Sequence, residues 1–155
     1  MFLGIDLGTS FIKGAVLDLA TYQVSHVYRI PFPDPIPGLP PLYREFDPGQ
    51  VIAAVRAVLD RLIPYADRCE GIVMCSQMHG VVFCTATGEA RSNLINWEDQ
   101  RGLLPHPSGN GSFFDWVRAC LDTSEISQLG NELRPECPAC CCPGMPSNPR
   151  NPWPV

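Results

Sequence analysis

The chain has 155 residues, the size of one ordinary domain and too short for two domains with well-filled cores. Charged residues make up 17% of it, below the roughly 25% of a typical soluble protein, and its 17 Pro are about twice the usual share. With 16 acidic and 11 basic residues the net charge is −5, and Lys13 is the only lysine; nucleic acid is excluded as the main partner, because that needs a clustered cationic face. No run approaches the roughly 18–20 consecutive apolar residues that cross a bilayer. The amino terminus reaches Asp6 without a basic stretch, unlike a secretory signal. No membrane association and a reducing, cytoplasmic setting are therefore expected, with the Cys read as free thiols rather than as a disulfide framework.

In chain order, residues 2–5 and 11–17 are short apolar runs joined by the turn-rich Asp6-Leu7-Gly8-Thr9-Ser10, a pattern that predicts a β-hairpin. A third antiparallel strand is expected from Val24 to Ile30. Residues 31–41 hold six Pro and form an extended loop. Asp47 and Pro48 then open a helix as N-cap and first helical residue. Val51, Ile52, Val55, Val58, Leu59 and Leu62 supply its apolar stripe, and Pro64 ends it. Gly71 to Cys75 reads as a strand buried on both faces. Val81 to Thr85 and Asn93 to Trp97 read as two short strands across a Thr87-Gly88 turn, and residues 113–121 and 124–130 as two short helices. The order of elements predicts an α/β fold with a mixed sheet, whose early part matches the opening of a ribonuclease H-like domain.

Three segments carry candidate chemistry. In Asp6-Leu7-Gly8-Thr9-Ser10 the glycine lets the chain bend, so that backbone N–H groups and two hydroxyls can face a phosphate, while Asp6 can hold Mg²⁺ through water; the plainer alternative is a hairpin turn of small residues. The Gly spacing fits neither a Walker A loop nor a dinucleotide fingerprint. Ser76-Gln77-Met78-His79-Gly80 follows the buried strand, at the carboxyl end of the sheet where ligands of α/β proteins bind. There Gln77 and His79 can exchange hydrogen bonds with hydroxyls and Met78 offers an adaptable apolar wall, although a lone His often does no more than cap a strand. Trp97, Asp99 and Arg101 combine an aromatic face with a carboxylate and a guanidinium, groups that suit a polyol. The competing view is a core Trp beside a surface ion pair.

Taken together, Asp6-x-Gly8-Thr9-Ser10, Gln77-Met78-His79-Gly80 and Trp97-x-Asp99-x-Arg101 resemble the amino-terminal part of the FGGY carbohydrate kinases, from about Phe2 to about Pro135. Gln-Met-His-Gly is closest to the ketose kinases of the xylulokinase and sedoheptulokinase types. The resemblance implies the actin-like, ribonuclease H-like ATPase fold, with ATP and sugar between two such domains. It puts Gly8, Thr9, Ser10 and Lys13 beside the ATP phosphates and Asp6 beside Mg²⁺. Gln77, Met78, His79, Trp97, Asp99 and Arg101 would then bind the sugar. The implied reaction is in-line transfer of the γ-phosphoryl group to a sugar hydroxyl.

The resemblance also has a limit. Family members are several times longer, and their general base, second phosphate loop and adenosine pocket lie in a carboxy-terminal kinase domain beyond the matching residues. The expected organisation is thus a partial amino-terminal kinase domain over 1–134, inactive alone, followed by a Pro- and Cys-rich tail over 135–155. That tail holds seven of the Pro and four of the Cys and has no Leu, Ile or Phe, so it is expected to be disordered or out-of-frame sequence. Zinc is disfavoured there, since the adjacent Cys141 and Cys142 cannot both turn easily to one ion and no His is near. Two rivals remain: a non-catalytic sugar-binding or regulatory module, and a non-sugar ATPase of the same superfamily. The second has no need of a polyol pocket.

Overall fold

The computed structural model describes residues 1–122 and 124. The predicted helix over 124–130, apart from Ser124, and the segment 135–155 lie outside the described residues. The chain forms two compact units. One comprises Met1–Ile36, Phe46–Met78 and Val82–Leu94, the other Pro37–Glu45, His79–Val81 and the chain from Ile95 onward.

The first unit is built on a four-stranded mixed sheet. Strands β1 (Phe2–Leu7), β2 (Phe11–Asp18) and β3 (Gln23–Pro31) form an antiparallel meander, as the three apolar runs and the turns between them predict. After the Pro-rich loop, the two-residue strand β4 (Glu45–Phe46) leads into helix α1 (Pro48–Leu62). Asp47 caps α1 by accepting a 2.8 Å hydrogen bond from the Gly49 N–H, and Pro48 takes the first position, where its missing N–H leaves nothing unsatisfied. The helix ends at Leu62, and a 3-10 turn over Ile63–Tyr65 contains Pro64. Strand β5 (Gly71–Ser76) then returns parallel to β1, completing the sheet order β3-β2-β1-β5. This is the α/β arrangement with a mixed sheet expected from the sequence, its elements in the expected chain order as far as β5.

One face of the sheet and α1 form the core. Leu3, Ile5, Ile12, Val16, Phe32, Phe46, Val51, Val58 and Leu62 are buried together. Each large aliphatic among them contributes about 1.5–3 kcal/mol relative to exposure. Gly14 permits the close approach of helix to sheet: a Cβ there would lie 2.3 Å from Val58 Cγ1 and 2.8 Å from Leu62 Cδ1. Of the predicted helical stripe only Ile52 faces solvent.

Two expectations need correction. β5 is not buried on both faces: Ile72, Val73 and Met74 are each more than half exposed, because β5 is the edge strand of the described sheet and α1 lies over β1, β2 and β3. The two strands predicted over 81–85 and 93–97 shrink to isolated bridges, Val81 with Ile95 and Cys84 with Ala90, plus the two-residue strand β6 (Leu94–Ile95). A side chain breaks the ladder: the Phe83 N–H donates to Ser92 Oγ at 2.9 Å. The Thr87-Gly88 turn does form, with Gly88 at φ 84°.

In the second unit, a 3-10 turn over Arg101–Leu103 precedes helix α2 (Phe113–Cys120). Ser112 and Asp115 close a reciprocal capping box at its start. His106 stacks on Trp116 with ring centroids 5.0 Å apart.

Candidate functional site

The parallel pairing of β1 with β5 sets Leu7 beside Ser76, so the turn after β1 and the segment after β5 leave the same end of the sheet. That is the carboxyl end, where ligands of α/β sheets bind. The turn is fixed from three sides. The Gly8 N–H donates to the Phe11 carbonyl at 3.1 Å, the Ser10 carbonyl accepts from the Phe32 N–H at 3.0 Å, and the Gly8 carbonyl accepts from Gln77 Nε2 at 3.2 Å. A side chain at Gly8 would bring its Cβ to 3.0 Å from the Phe11 carbonyl oxygen. Thr9 is partly exposed and Ser10 exposed, leaving both hydroxyls at the surface of the turn.

Asp6 and Lys13 meet across the β1–β2 ladder, with Lys13 Nζ 3.1 Å from Asp6 Oδ2. The hydrogen bond from Lys13 and that from the Cys75 thiol, whose Sγ is 3.3 Å from Asp6 Oδ1, hold the Asp6 carboxyl below the ordinary carboxylate range. The Asp6 carboxylate in turn pushes the Cys75 thiol upward, so Cys75 stays protonated and donates. Cys75 had no assigned role in the sequence; its place opposite Asp6 follows only from the β1–β5 register.

The Gln77–Gly80 segment divides. Gln77 braces the Asp6–Ser10 turn, and Met78 beside it is 70% exposed. His79, the first residue of the chain's next passage through the second unit, has φ 59°. A left-handed backbone at a non-glycine is uncommon; Tyr22, His26 and Leu42 share it.

In the second unit, Trp97, Asp99 and Arg101 are gathered with residues that close the Pro-rich loop. Trp97 is 44% exposed while Asp99 is fully buried, the reverse of a core Trp with a surface ion pair. Arg101 grips Asp99 in a bidentate pair, Nε to Oδ1 at 2.8 Å and Nη2 to Oδ2 at 2.7 Å. It also donates from Nη2 to Glu45, and its guanidinium carbon sits 3.9 Å from the centre of the Tyr43 ring. Burial works against the charge on Asp99, yet hydrogen bonds from Arg101 and from the Arg44 N–H outweigh it and hold the carboxyl below its usual range. Burial likewise opposes the Arg101 charge, and its two carboxylates still keep its pKa above the ordinary value.

Above this buried pair, Leu42, Tyr43, Arg44, Trp97, Glu98 and Gln100 line a hollow of about 540 Å³, within the range of small-molecule sites. Tyr43, Arg44 and Glu45 were missed as site residues in the sequence. The available signal was a Tyr-Arg-Glu run between the Pro-rich loop and the helix cap, three side chains able to stack, donate and accept in succession.

Residues 1–103 match the family described as the FGGY family of carbohydrate kinases, N-terminal domain. No curated protein sequence matches the chain. Among solved structures, a xyloylose kinase from Brucella ovis is similar at 26% identity and a TM-score of 0.67, the match covering 88% of this chain and 27% of that one. A xylulose kinase from Rhodospirillum rubrum shares the fold at 24% identity and a TM-score of 0.69, over 87% of this chain and 26% of its own. A glycerol kinase from Plasmodium falciparum, solved with ADP, does so at 18% identity and a TM-score of 0.62, over 88% and 26%. The chain thus spans about a quarter of the length of these relatives. With its parallel β1–β5 pair, its turn at Asp6–Ser10 and a match running through Arg101, the chain belongs to the FGGY family of carbohydrate kinases, through that family's amino-terminal domain.

Proposed function

We propose that the protein serves phosphoryl transfer from MgATP to a hydroxyl of a sugar, with a ketose such as sedoheptulose or xylulose as acceptor. The observation that carries this reading is the shared carboxyl end of β1 and β5, where the Asp6–Ser10 turn and the Gln77–Met78 segment emerge together. Thr9 and Ser10 offer hydroxyls and backbone to the nucleotide phosphates, Gly8 keeps the turn tight, and Lys13 supplies the cationic charge. By the family resemblance Gln77, Met78, His79, Trp97, Asp99 and Arg101 are assigned to the sugar; Asp99 and Arg101 hold the Trp97 segment in place, and Gln77 braces the Asp6–Ser10 turn.

The donor set fits a hydrated Mg²⁺. Asp6 presents a hard, ionised oxygen donor at the rim of the turn, and among the described residues no group of three or more His, Cys, Asp or Glu could hold a metal by itself. Such a cation is bound through one carboxylate, water and substrate phosphates together. Bound there it would supply charge neutralisation on the phosphates. Asp99 is fully buried against Arg101 and so is not available as a general base. By the family resemblance the base lies in the carboxy-terminal kinase domain, and on this reading the 155-residue chain binds ligands without turnover.

Calorimetric titration of the purified chain with MgATP, xylulose and sedoheptulose tests this. Asp6→Asn is expected to weaken MgATP about tenfold, or roughly 1.4 kcal/mol, and leave ketose affinity unchanged. Ketose affinity with none for MgATP would favour the sugar-binding module instead. Measurable phosphoryl transfer by the chain alone would overturn the assignment of the base.

A further inference from the structure

We propose that the ion pair between Arg44 and Glu98 decides which sugars the Trp97 hollow accepts, admitting neutral polyols and turning away sugar acids. This rests on the reading of that hollow as a sugar site. Arg44 Nε and Glu98 Oε2 are 2.8 Å apart, both side chains line the hollow, and both are partly exposed at 43% and 30%. A guanidinium alone at such a wall would recruit a carboxylate or phosphate. With Glu98 against it the described lining holds one positive and one negative group, and an anionic ligand that approaches Arg44 also approaches a fixed carboxylate. Like charges forced together are a strong means of rejecting the wrong partner.

The same pair suits neighbouring hydroxyls, each of which donates and accepts, because it presents N–H donors beside an acceptor oxygen. Trp97 adds an apolar face for the C–H side of the ligand.

Both charges are held before any ligand arrives. The Arg44 N–H donates to Asp99 Oδ2 at 2.6 Å, which ties its backbone to the buried Asp99–Arg101 pair. Asn96 Nδ2 donates to Glu98 Oε2 at 3.2 Å, and Asn96 Oδ1 accepts from the Glu98 N–H at 3.1 Å. The loop carrying Arg44 is held in a strained form, with Leu42 at φ 73° and its carbonyl taken by the Gln100 N–H at 2.8 Å. Strain at a bulky residue persists only where its surroundings enforce it, and a pre-set pair discriminates better than one that must be ordered on binding.

Calorimetry on the purified chain with xylulose and gluconate gives the test. The wild-type chain should bind xylulose at least about tenfold more tightly than gluconate. Glu98→Gln should collapse that preference by about tenfold, chiefly by strengthening gluconate. Arg44→Met, which leaves Glu98 unopposed, should weaken gluconate further. Trp97→Ala should abolish binding of both, with circular dichroism confirming that each variant is folded. A wild-type chain without the preference, or a preference unchanged in both Glu98→Gln and Arg44→Met, overturns the role of the pair. If Trp97→Ala still removes xylulose binding in those cases, the sugar-site reading stands. A wild-type chain that binds no ketose, or a Trp97→Ala chain that binds it undiminished, overturns both.

Discussion

Burial alone would disfavour the charges of Asp99 and Arg101, and it is their bidentate geometry, together with Glu45, the Arg44 N–H and the Tyr43 ring, that makes the pair tolerable. Removing one partner strands the other. Arg101→Met is therefore expected to destabilise the fold by about 3 kcal/mol, read as a lower urea midpoint. The folded Asp99 carboxyl lies below its unfolded value of roughly 3.9. Its stabilisation is accordingly present above about pH 4 and lost as pH falls through the lower folded pKa. Urea midpoints measured from pH 5 down to pH 2 should fall more steeply for the wild-type chain than for Asp99→Asn; parallel curves would show that Asp99 contributes no proton linkage. Gly14 makes a second point at this scale. Its missing side chain is what lets Val58 and Leu62 reach the sheet, so Gly14→Ala should cost about 1–3 kcal/mol by overpacking, seen as a drop in Tm.

Among the elements, those determined by local pattern were legible in the sequence. The β1–β2 hairpin, the Asp47-Pro48 start of α1 and the position of β5 all follow from periodicity, caps and turn residues within a dozen positions. What could not be read depends on distant neighbours. An apolar run such as Gly71-Ile72-Val73-Met74-Cys75 states that a strand forms, but not which layers cover it. Ser92 interrupts the 81–95 ladder through its hydroxyl, a competition with the backbone that hydropathy does not encode. The site divides in the same way: Trp97, Asp99 and Arg101 were legible as a group, while the inversion of which is buried depends on Tyr43 and Glu45, more than fifty positions away. The capping box of α2 offers a check on the local side. Ser112 Oγ accepts from the Asp115 N–H at 3.1 Å, and the Ser112 N–H donates to Asp115 Oδ2 at 2.8 Å. Ser112→Ala should cost about 1 kcal/mol and reduce helical circular dichroism, with β-sheet signal unchanged.

At the scale of the whole molecule, the opening composition takes on a physical meaning. A chain that is 45% hydrophobic and 17% charged has limited polar surface with which to cover a sheet. On the first unit the shortage is visible: Ala15, Leu17, Val24, Val27 and Val73 line an open hollow of about 340 Å³, and Val24, Val27 and Val73 are each more than half exposed. Among the described residues β5 is an edge strand, with no Lys, no Pro and no charged side chain along Gly71–Ser76. Natural edge strands are ordinarily blunted by such residues, because an unpaired row of N–H and C=O groups beside apolar side chains is a template for another strand. Isolated, the 155-residue chain should therefore bind a hydrophobic dye such as ANS and associate as its concentration rises. Val73→Lys puts a charge at the middle of that edge. Since Val73 is 54% exposed, the substitution should change stability by no more than about 0.5 kcal/mol. It should also lower both dye binding and the sedimenting aggregate fraction. Association that persists undiminished in Val73→Lys would mean that the contact lies elsewhere than the β5 edge.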